Sequence, residues 1–193
     1  MEGFYTLLAA TISATATLCS VWLGRKIMYK RKRDAIVDET IQNGNVYTAL
    51  EFLLEEVGAD RAYVMEFHNG AHYFSGRGQQ KFSCTYETVK NGISAEFANS
   101  QNHRISNFHH YINELVNEGD FAYSDIEQVP DPAFKTLLKD KGVSAIFNIP
   151  LKTLNGKVIG ILGVDYVRSS NPFKEDMLQF MKRQGRIVAG YLL

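Results

Sequence analysis

The sequence predicts an α+β fold, an antiparallel sheet flanked by helices and preceded by one transmembrane helix. Three observations carry this expectation. No charged residue occurs from Gly3 to Gly24, and 22 helical residues reach about 33 Å, the thickness of a bilayer core. Two apolar segments rich in β-branched residues, Val143–Lys152 and Lys157–Val167, surround Asn155-Gly156, a pair suited to a tight hairpin. The remaining segments alternate between helical and strand periodicity in the order helix, strand, strand, helices, strand, strand, helix, which suits a mostly antiparallel sheet covered by helices.

The first segments divide into a short external N-terminus (1–3), the membrane helix (4–24) and a basic juxtamembrane stretch (25–35). A cleaved secretory signal needs positive charge ahead of its apolar core, and only Met1 and Glu2 precede this one. The cations follow instead: Arg25, Lys26, Lys30, Arg31, Lys32 and Arg33. The positive-inside rule then places the N-terminus outside and the soluble domain in the cytoplasm, a single-pass protein of the inner (plasma) membrane. Small residues four apart, Ala9/Ser13/Thr17 and Ala16/Ser20/Gly24, suit close helix–helix approach and hence a homodimer. Trp22 and Tyr29 sit where an interfacial aromatic belt is expected. The basic run meets membrane lipid headgroups.

Residues 34–193 hold fifteen basic and twenty acidic residues, an acidic balance that excludes nucleic acid as a partner. The two cysteines, Cys19 and Cys84, lie too far apart in sequence and setting to form a disulfide framework.

From 36 onward the elements follow in order. Ile36, Val37, Thr40 and Ile41 begin a helical stripe that Asn43-Gly44 interrupts; Val46, Leu50, Leu53, Leu54 and Val57 resume it up to Gly58. RAYVMEFH, Arg61 to His68, is a strand by composition. KFSCTYETV, Lys81 to Val89, alternates as a second strand with one wet face. Ile93–Phe97 reads as a short helix and Phe108–Val116 as a longer one, with Ile112, Leu115 and Val116 inward. Phe121–Ile126 is extended. PDPAFKTLLKDKG forms a helix lined by Phe134, Leu137 and Leu138 and ended by Gly142. Asn171-Pro172 opens the last helix, with Glu175 and Asp176 favourable in its first turn, running to Tyr191.

The run from Tyr123 to Leu192 resembles the second half of a GAF domain, a sensor fold allied to PAS. The matching pieces are the small helix before Gly142, the Ile149-Pro150-Leu151 strand end, the Asn155-Gly156 hairpin, the strand Ile159-Gly160 to Val164, and the Phe173-Lys174-Glu175-Asp176 entry to the final helix. LEFLLEEVGADRAYVMEF, Leu50 to Phe67, is similar to the family's opening helix and first strand, so the GAF-like domain spans 36–193. The resemblance implies a sensor or regulatory module rather than an enzyme. Cyclic-nucleotide-binding members carry Asn-Lys in the last strand, where this chain has Gly163-Val164-Asp165. Bilin-binding members need an attachment cysteine in the pocket helices, whereas Cys84 is on a strand. The cofactor is unknown on these residues.

The thirteen residues EFHNGAHYFSGRG, Glu66 to Gly78, are the densest polar cluster. No metal-ligand spacing such as Cys-x-x-Cys is present, and no metal is expected. Along the strand, Tyr63, Met65 and Phe67 share one face and Ala62, Val64, Glu66 and His68 the other. If the larger set packs on the terminal helices, Glu66, His68, Asn69, Tyr73 and the strand residue Cys84 form the polar end of a ligand pocket. The alternative is a turn at Asn69-Gly70 that His68 merely ties. The chain ends in its last helix without an output domain, so it is expected to bind a small-molecule ligand or dock a protein partner. A ligand-free structural or phage lysis-type (holin-like) membrane protein is the rival from another class.

Overall fold

A computed structural model of the chain describes residues 2–30, 35–168, 173 and 176–193, with backbone alone at 2, 6–12 and 26–30. The chain divides into two units, Met1–Ile41 and Gln42–Leu193.

In the first unit, helix α1 runs from Glu2 to Lys30. The hydroxyls of Thr17 and Ser20 donate to the carbonyls of Ser13 and Ala16 at 2.9 and 2.8 Å, so the helix satisfies its own polar side chains. The expected transmembrane helix over 4–24 is not supported: among the described residues no helix is long and apolar enough to cross a membrane. Ser13, Thr15, Thr17 and Ser20 dilute the apolar side chains there, and the side chains of residues 6–12, on which the expectation also rests, lie outside the described residues. Arg31, Lys32 and Arg33 of the basic run lie outside them too.

Helix α2 spans Ala35–Glu56 without a break. The interruption expected at Asn43-Gly44 does not occur, because the burial of Val46, Leu50, Leu53 and Leu54 on one stripe outweighs one glycine's cost of about 1 kcal/mol.

The second unit is built on one antiparallel sheet in the order β3-β2-β1-β6-β5-β4. Its strands are β1 (Arg61–His72), β2 (Gly78–Val89), β3 (His103–Arg104), β4 (Phe121–Tyr123), β5 (Ala145–Lys152) and β6 (Val158–Tyr166). Three further helices complete it: α3 (His109–Glu118), α4 (Pro132–Asp140) and α5 (Met177–Leu192). The short helix expected at Ile93–Phe97 is absent, 93–96 being irregular and Phe97 opening a turn. The expected start of the last helix at Asn171-Pro172, with Glu175, lies outside the described residues. Strands β5 and β6 join at the expected Asn155-Gly156 turn, where Gly156 N donates back to Thr153 O and Thr153 N to Lys157 O; of that pair only Gly156 takes a positive φ (+78°).

Two cores lie on opposite faces of the sheet. On one, α2 and α5 pack on Ala62, Val64, Ile149, Leu162 and Val164. On the other, α3 and α4 cover Tyr63, Met65, Phe82 and Ile161. The strand parity is thus the reverse of the expected one. On β1 the long helices meet the small Ala62 and Val64, whereas the short helices α3 and α4 leave space that Tyr63, Met65 and Phe82 fill. In α3 itself Tyr111 and Leu115 are buried while Val116 is exposed, a correction to the expected inward Val116.

Gly163 leaves no room for a side chain between the sheet and the second core: a Cβ there would stand 2.2 Å from Asn148 Oδ1 and 2.3 Å from Tyr63 Cε2. Gly163→Ala should therefore lower stability by about 1–3 kcal/mol or more through overpacking, read as a drop in urea midpoint at unchanged slope; an unchanged midpoint would contradict this packing.

Candidate functional site

Arg61 opens β1 and is wholly buried. Its Nε donates to Asp165 Oδ1 of β6 at 2.8 Å, one terminal nitrogen donates to Ser94 O at 3.1 Å, and the other to Lys141 O at 2.8 Å. Glu96 lies 3.7 Å away. One guanidinium thus joins two strands, the 91–100 turns and the end of α4. Beside it, Asp60 accepts the amides of Val167 and Arg168 at 2.8 and 3.0 Å. Burial alone would raise this carboxyl's pKa; the two amides, with Lys90 and Arg168 nearby, bring it below the usual value.

Next along β1, Tyr63 donates to Asn148 Oδ1 at 2.9 Å, and Asn148 Nδ2 donates to Tyr111 OH at 2.8 Å. Each amide atom has one bond, which fixes the orientation of Asn148. Tyr111 is placed by the α4 N-cap: Asp131 accepts the amides of Phe134 and Tyr111 through its two oxygens, and the Tyr111 and Phe134 rings stack at 3.7 Å. Burial raises the Tyr111 hydroxyl well above its ordinary range, so it stays a neutral donor and acceptor.

Lys141 closes the group. Its ammonium donates to Ser100 Oγ at 2.5 Å, and Ser100 donates on to Glu96 O. Burial lowers its pKa against the opposing pull of Asp165 and Glu96. Glu87 accepts the amides of Glu96 and Phe97 at 2.8 Å each. These side chains surround a cavity of about 20 Å³, bordered by Tyr63, Cys84, Tyr111, Lys141, Asn148 and Asp165 and closed by the apolar Met65, Phe82 and Phe134. That is room for about one water.

Of the five residues expected at the site, only Cys84 borders this cavity. Its thiol donates to Tyr86 O, and burial pushes its pKa up to about 12, so it is an inert, protonated group at neutral pH. Glu66 and His68 alternate with Met65 and Phe67 and hence take the opposite face. His68 Nε2 bonds Ser83 Oγ at 2.8 Å, which ties the strand pair. Asn69 is exposed on the β1–β2 arm, and Tyr73 OH lies 3.3 Å from Ser106 Oγ beyond it. The residues that do gather are Arg61, Tyr111, Lys141, Asn148 and Asp165, none of which the sequence pattern marks as a site. Two of them do carry a signal: Asn148 and Asp165 are lone polar residues inside apolar strands, which burial permits only when they are partnered. Among the described residues no group of three or more His, Cys, Asp or Glu gathers around a metal-sized point.

Asp165 supplies the test of these electrostatics. Burial raises its pKa from 3.8 to about 6, against the opposing attraction of Arg61. A carboxyl that holds its proton more tightly folded than unfolded contributes stability fully below pH 4 and loses it as pH rises through 6. Asp165→Asn, which fixes the neutral form, should therefore gain on the natural chain between pH 4 and pH 7 when urea midpoints of both are compared at each pH. A natural chain that gains on the variant over that interval would show that the Arg61 attraction exceeds the burial cost.

A family model for the GAF domain matches residues 45–192. Among curated proteins none matches the chain by sequence. Similar solved structures include the blue-light absorbing form of the Thermosynechococcus elongatus PixJ GAF domain, at 16% identity and TM-score 0.64, covering 82% of this chain and 89% of that one. The GAF domain region of a Geobacter sulfurreducens PCA protein aligns at 15% identity and TM-score 0.60, over 81% of this chain and 96% of that one. The photoproduct state of a third GAF domain, from Slr1393 of Synechocystis sp. PCC6803, aligns at 13% identity and TM-score 0.58, over 78% and 92%. At these identities the likeness is one of fold. With its six-stranded antiparallel sheet, its helices on both faces and a family match across three quarters of its length, the chain belongs to the GAF domain family.

Proposed function

We propose that this GAF sensor domain is held at a membrane by its N-terminal segment and responds to a small polar molecule, or to a docked protein, through the cavity under α3 and α4. The observation that carries the reading is the enclosed polar group itself. Asn148, Tyr111, Lys141 and Asp165 converge on a space whose wall also includes the apolar Met65, Phe82 and Phe134. Convergent polar groups in an apolar concavity are the ordinary makeup of a ligand site.

The size of the cavity narrows the ligand. A tetrapyrrole chromophore of the kind bilin-binding members hold needs several hundred Å³, as drug-sized sites do, against about 20 Å³ here. The protonated, strand-borne Cys84 gives no attachment point for one. The reading therefore favours a molecule of a few heavy atoms, admitted when the Tyr111–Phe134 stack parts. Membrane attachment is supported by the uncharged stretch from Gly3 to Gly24 and the cations after it, with the soluble unit on the cytoplasmic side. Dimerisation through the exposed Tyr47 and Phe52 of α2 and Ile187 and Tyr191 of α5 belongs to the same reading.

Native mass spectrometry of the full chain, released from cells in mild detergent, tests the ligand. A retained adduct below about 200 Da is expected, since roughly 0.3–1.5 kcal/mol per heavy atom limits what so small a ligand can contribute. Asn148→Leu should remove it while leaving the far-ultraviolet circular dichroism unchanged. A natural chain without any adduct would shift the function to protein docking. For topology, a cysteine introduced near Leu193 should resist membrane-impermeant thiol reagents in intact cells; external labelling would overturn the cytoplasmic placement.

A further inference from the structure

The arm that holds EFHNGAHYFSGRG takes no part in the cavity, yet it carries the most exposed large apolar side chain described. Phe74 at its tip and Leu154 at the β5–β6 turn are each as exposed as in an extended peptide, at 111% and 105%. Both turns lie at the same end of the sheet. β1 and β6 are antiparallel neighbours whose pairing runs from Arg61 with Asp165 to Glu66 with Gly160. β1 therefore continues into its arm alongside the start of β6, where the Thr153–Lys157 turn sits. The arm is a built element: Asn69 pairs with Gln80 and His72 with Gly78, Tyr73 N donates to Arg77 O, and Gly76 N to Tyr73 O. Arg77 lies over the Tyr73 ring at 5.2 Å.

Charge separates these two turns from the remainder. Residues 42–193 hold fifteen basic and seventeen acidic residues; four of the basic and none of the acidic lie in 69–81 and 152–157, namely Arg77, Lys81, Lys152 and Lys157. Exposed Phe and Leu at turn tips, a Tyr beneath an arginine and flanking cations without carboxylates match the chemistry of an interface between anionic headgroups and acyl chains. A protein groove would be expected to require apolar contacts in a row along a strand or helix, and here they stand singly on two turns.

We infer that the paired turns dock on an anionic bilayer surface, Phe74 and Leu154 entering the headgroup layer and the four cations meeting lipid phosphate and carboxylate. The inference rests on the membrane placement proposed above and adds a second, reversible contact made by the sensor unit itself. Such a contact would orient the domain against the lipid, and its strength would vary with lipid charge.

The test uses the full chain carrying Trp22→Phe, which removes the only native tryptophan, and Phe74→Trp. It is bound to phosphatidylcholine vesicles in which about a third of the lipid is phosphatidylserine. The expected result is a blue-shifted emission quenched by about half or more when brominated phosphatidylcholine is included. In vesicles of phosphatidylcholine alone, or with Lys152→Gln and Lys157→Gln added, the quenching should largely disappear, each lost cation weakening the contact roughly fivefold. All these positions are exposed, so the fold is preserved. A chain that resists carbonate extraction but whose introduced indole stays water-exposed and unquenched overturns the inference and leaves the anchor standing. A chain that carbonate strips away, yet whose introduced indole is quenched on anionic vesicles at neutral pH, supports the inference and overturns the anchor. Quenching that is equal in neutral and anionic vesicles overturns the proposed charge recognition.

Discussion

A guanidinium with no access to water must find partners for its donors within the fold, and Arg61 finds them in three different segments. Asp165 is on the neighbouring strand, Ser94 and Glu96 belong to the turns after β2, and Lys141 O ends α4. An unsatisfied ion at this depth costs several kcal/mol, so any arrangement that fails to bring these segments together is heavily penalised. Asp165 is itself near break-even, since burial raises its pKa despite the adjacent cation. The pair is better understood as specifying the arrangement than as a large net source of stability, a role for which buried polar groups are suited. Its consequence for function is positional: Lys141 and the 94–100 turns border the cavity because Arg61 holds them there.

The two faces of the sheet differ in how they are filled. α2 and α5 form the drier core, where side chains such as Leu50, Leu53 and Met181 are almost wholly buried, each contributing roughly 1.5–3 kcal/mol. α3 and α4 are short and cover less, and the remaining volume is filled by rings: Tyr111 against Phe134, Phe121 against both. Rings can move apart as rigid plates with little loss of rotamer freedom. A cavity of one-water size in one population is therefore compatible with a larger one in a minor population, and a ligand would favour the open form by its differential affinity alone.

The hairpin after β5, the helices on either side of it and the antiparallel order were legible in the sequence because each depends on local pattern: a period, a cap, a Gly with positive φ. Gly142 and Gly156 both take that backbone conformation, and α4 begins where Asp131 and Pro132 announce it. The face of β1 was not legible. Its alternation is the same whichever side the helices occupy, and the choice depends on how much volume each helical layer brings, which no window of the sequence contains. The error moved the expected site to Glu66 and His68. It also hid Asn148, whose meaning comes from Tyr63 and Tyr111, 85 and 37 residues away. The break expected at Asn43-Gly44 failed for the same kind of reason, since tertiary burial of the α2 stripe decides it.

β1 is the element on which the separate parts converge. Its first four residues bring Arg61 and Tyr63 to the buried polar group. Between Val64 and Met65 the register with β2 shifts by one residue, with Thr85 as the extra one. Such a bulge increases local twist and turns the strand that follows. Beyond Met65, β1 no longer borders the cavity. His68 ties it to Ser83, its pairing with β6 ends at Gly160, and it continues with β2 as the arm that ends in Phe74. Force or contact at the arm therefore reaches the cavity along one strand and through one bulge, directly beside Met65 and Cys84, which form part of the cavity wall. A surface that holds the arm would act on the wall of the pocket without any intervening element.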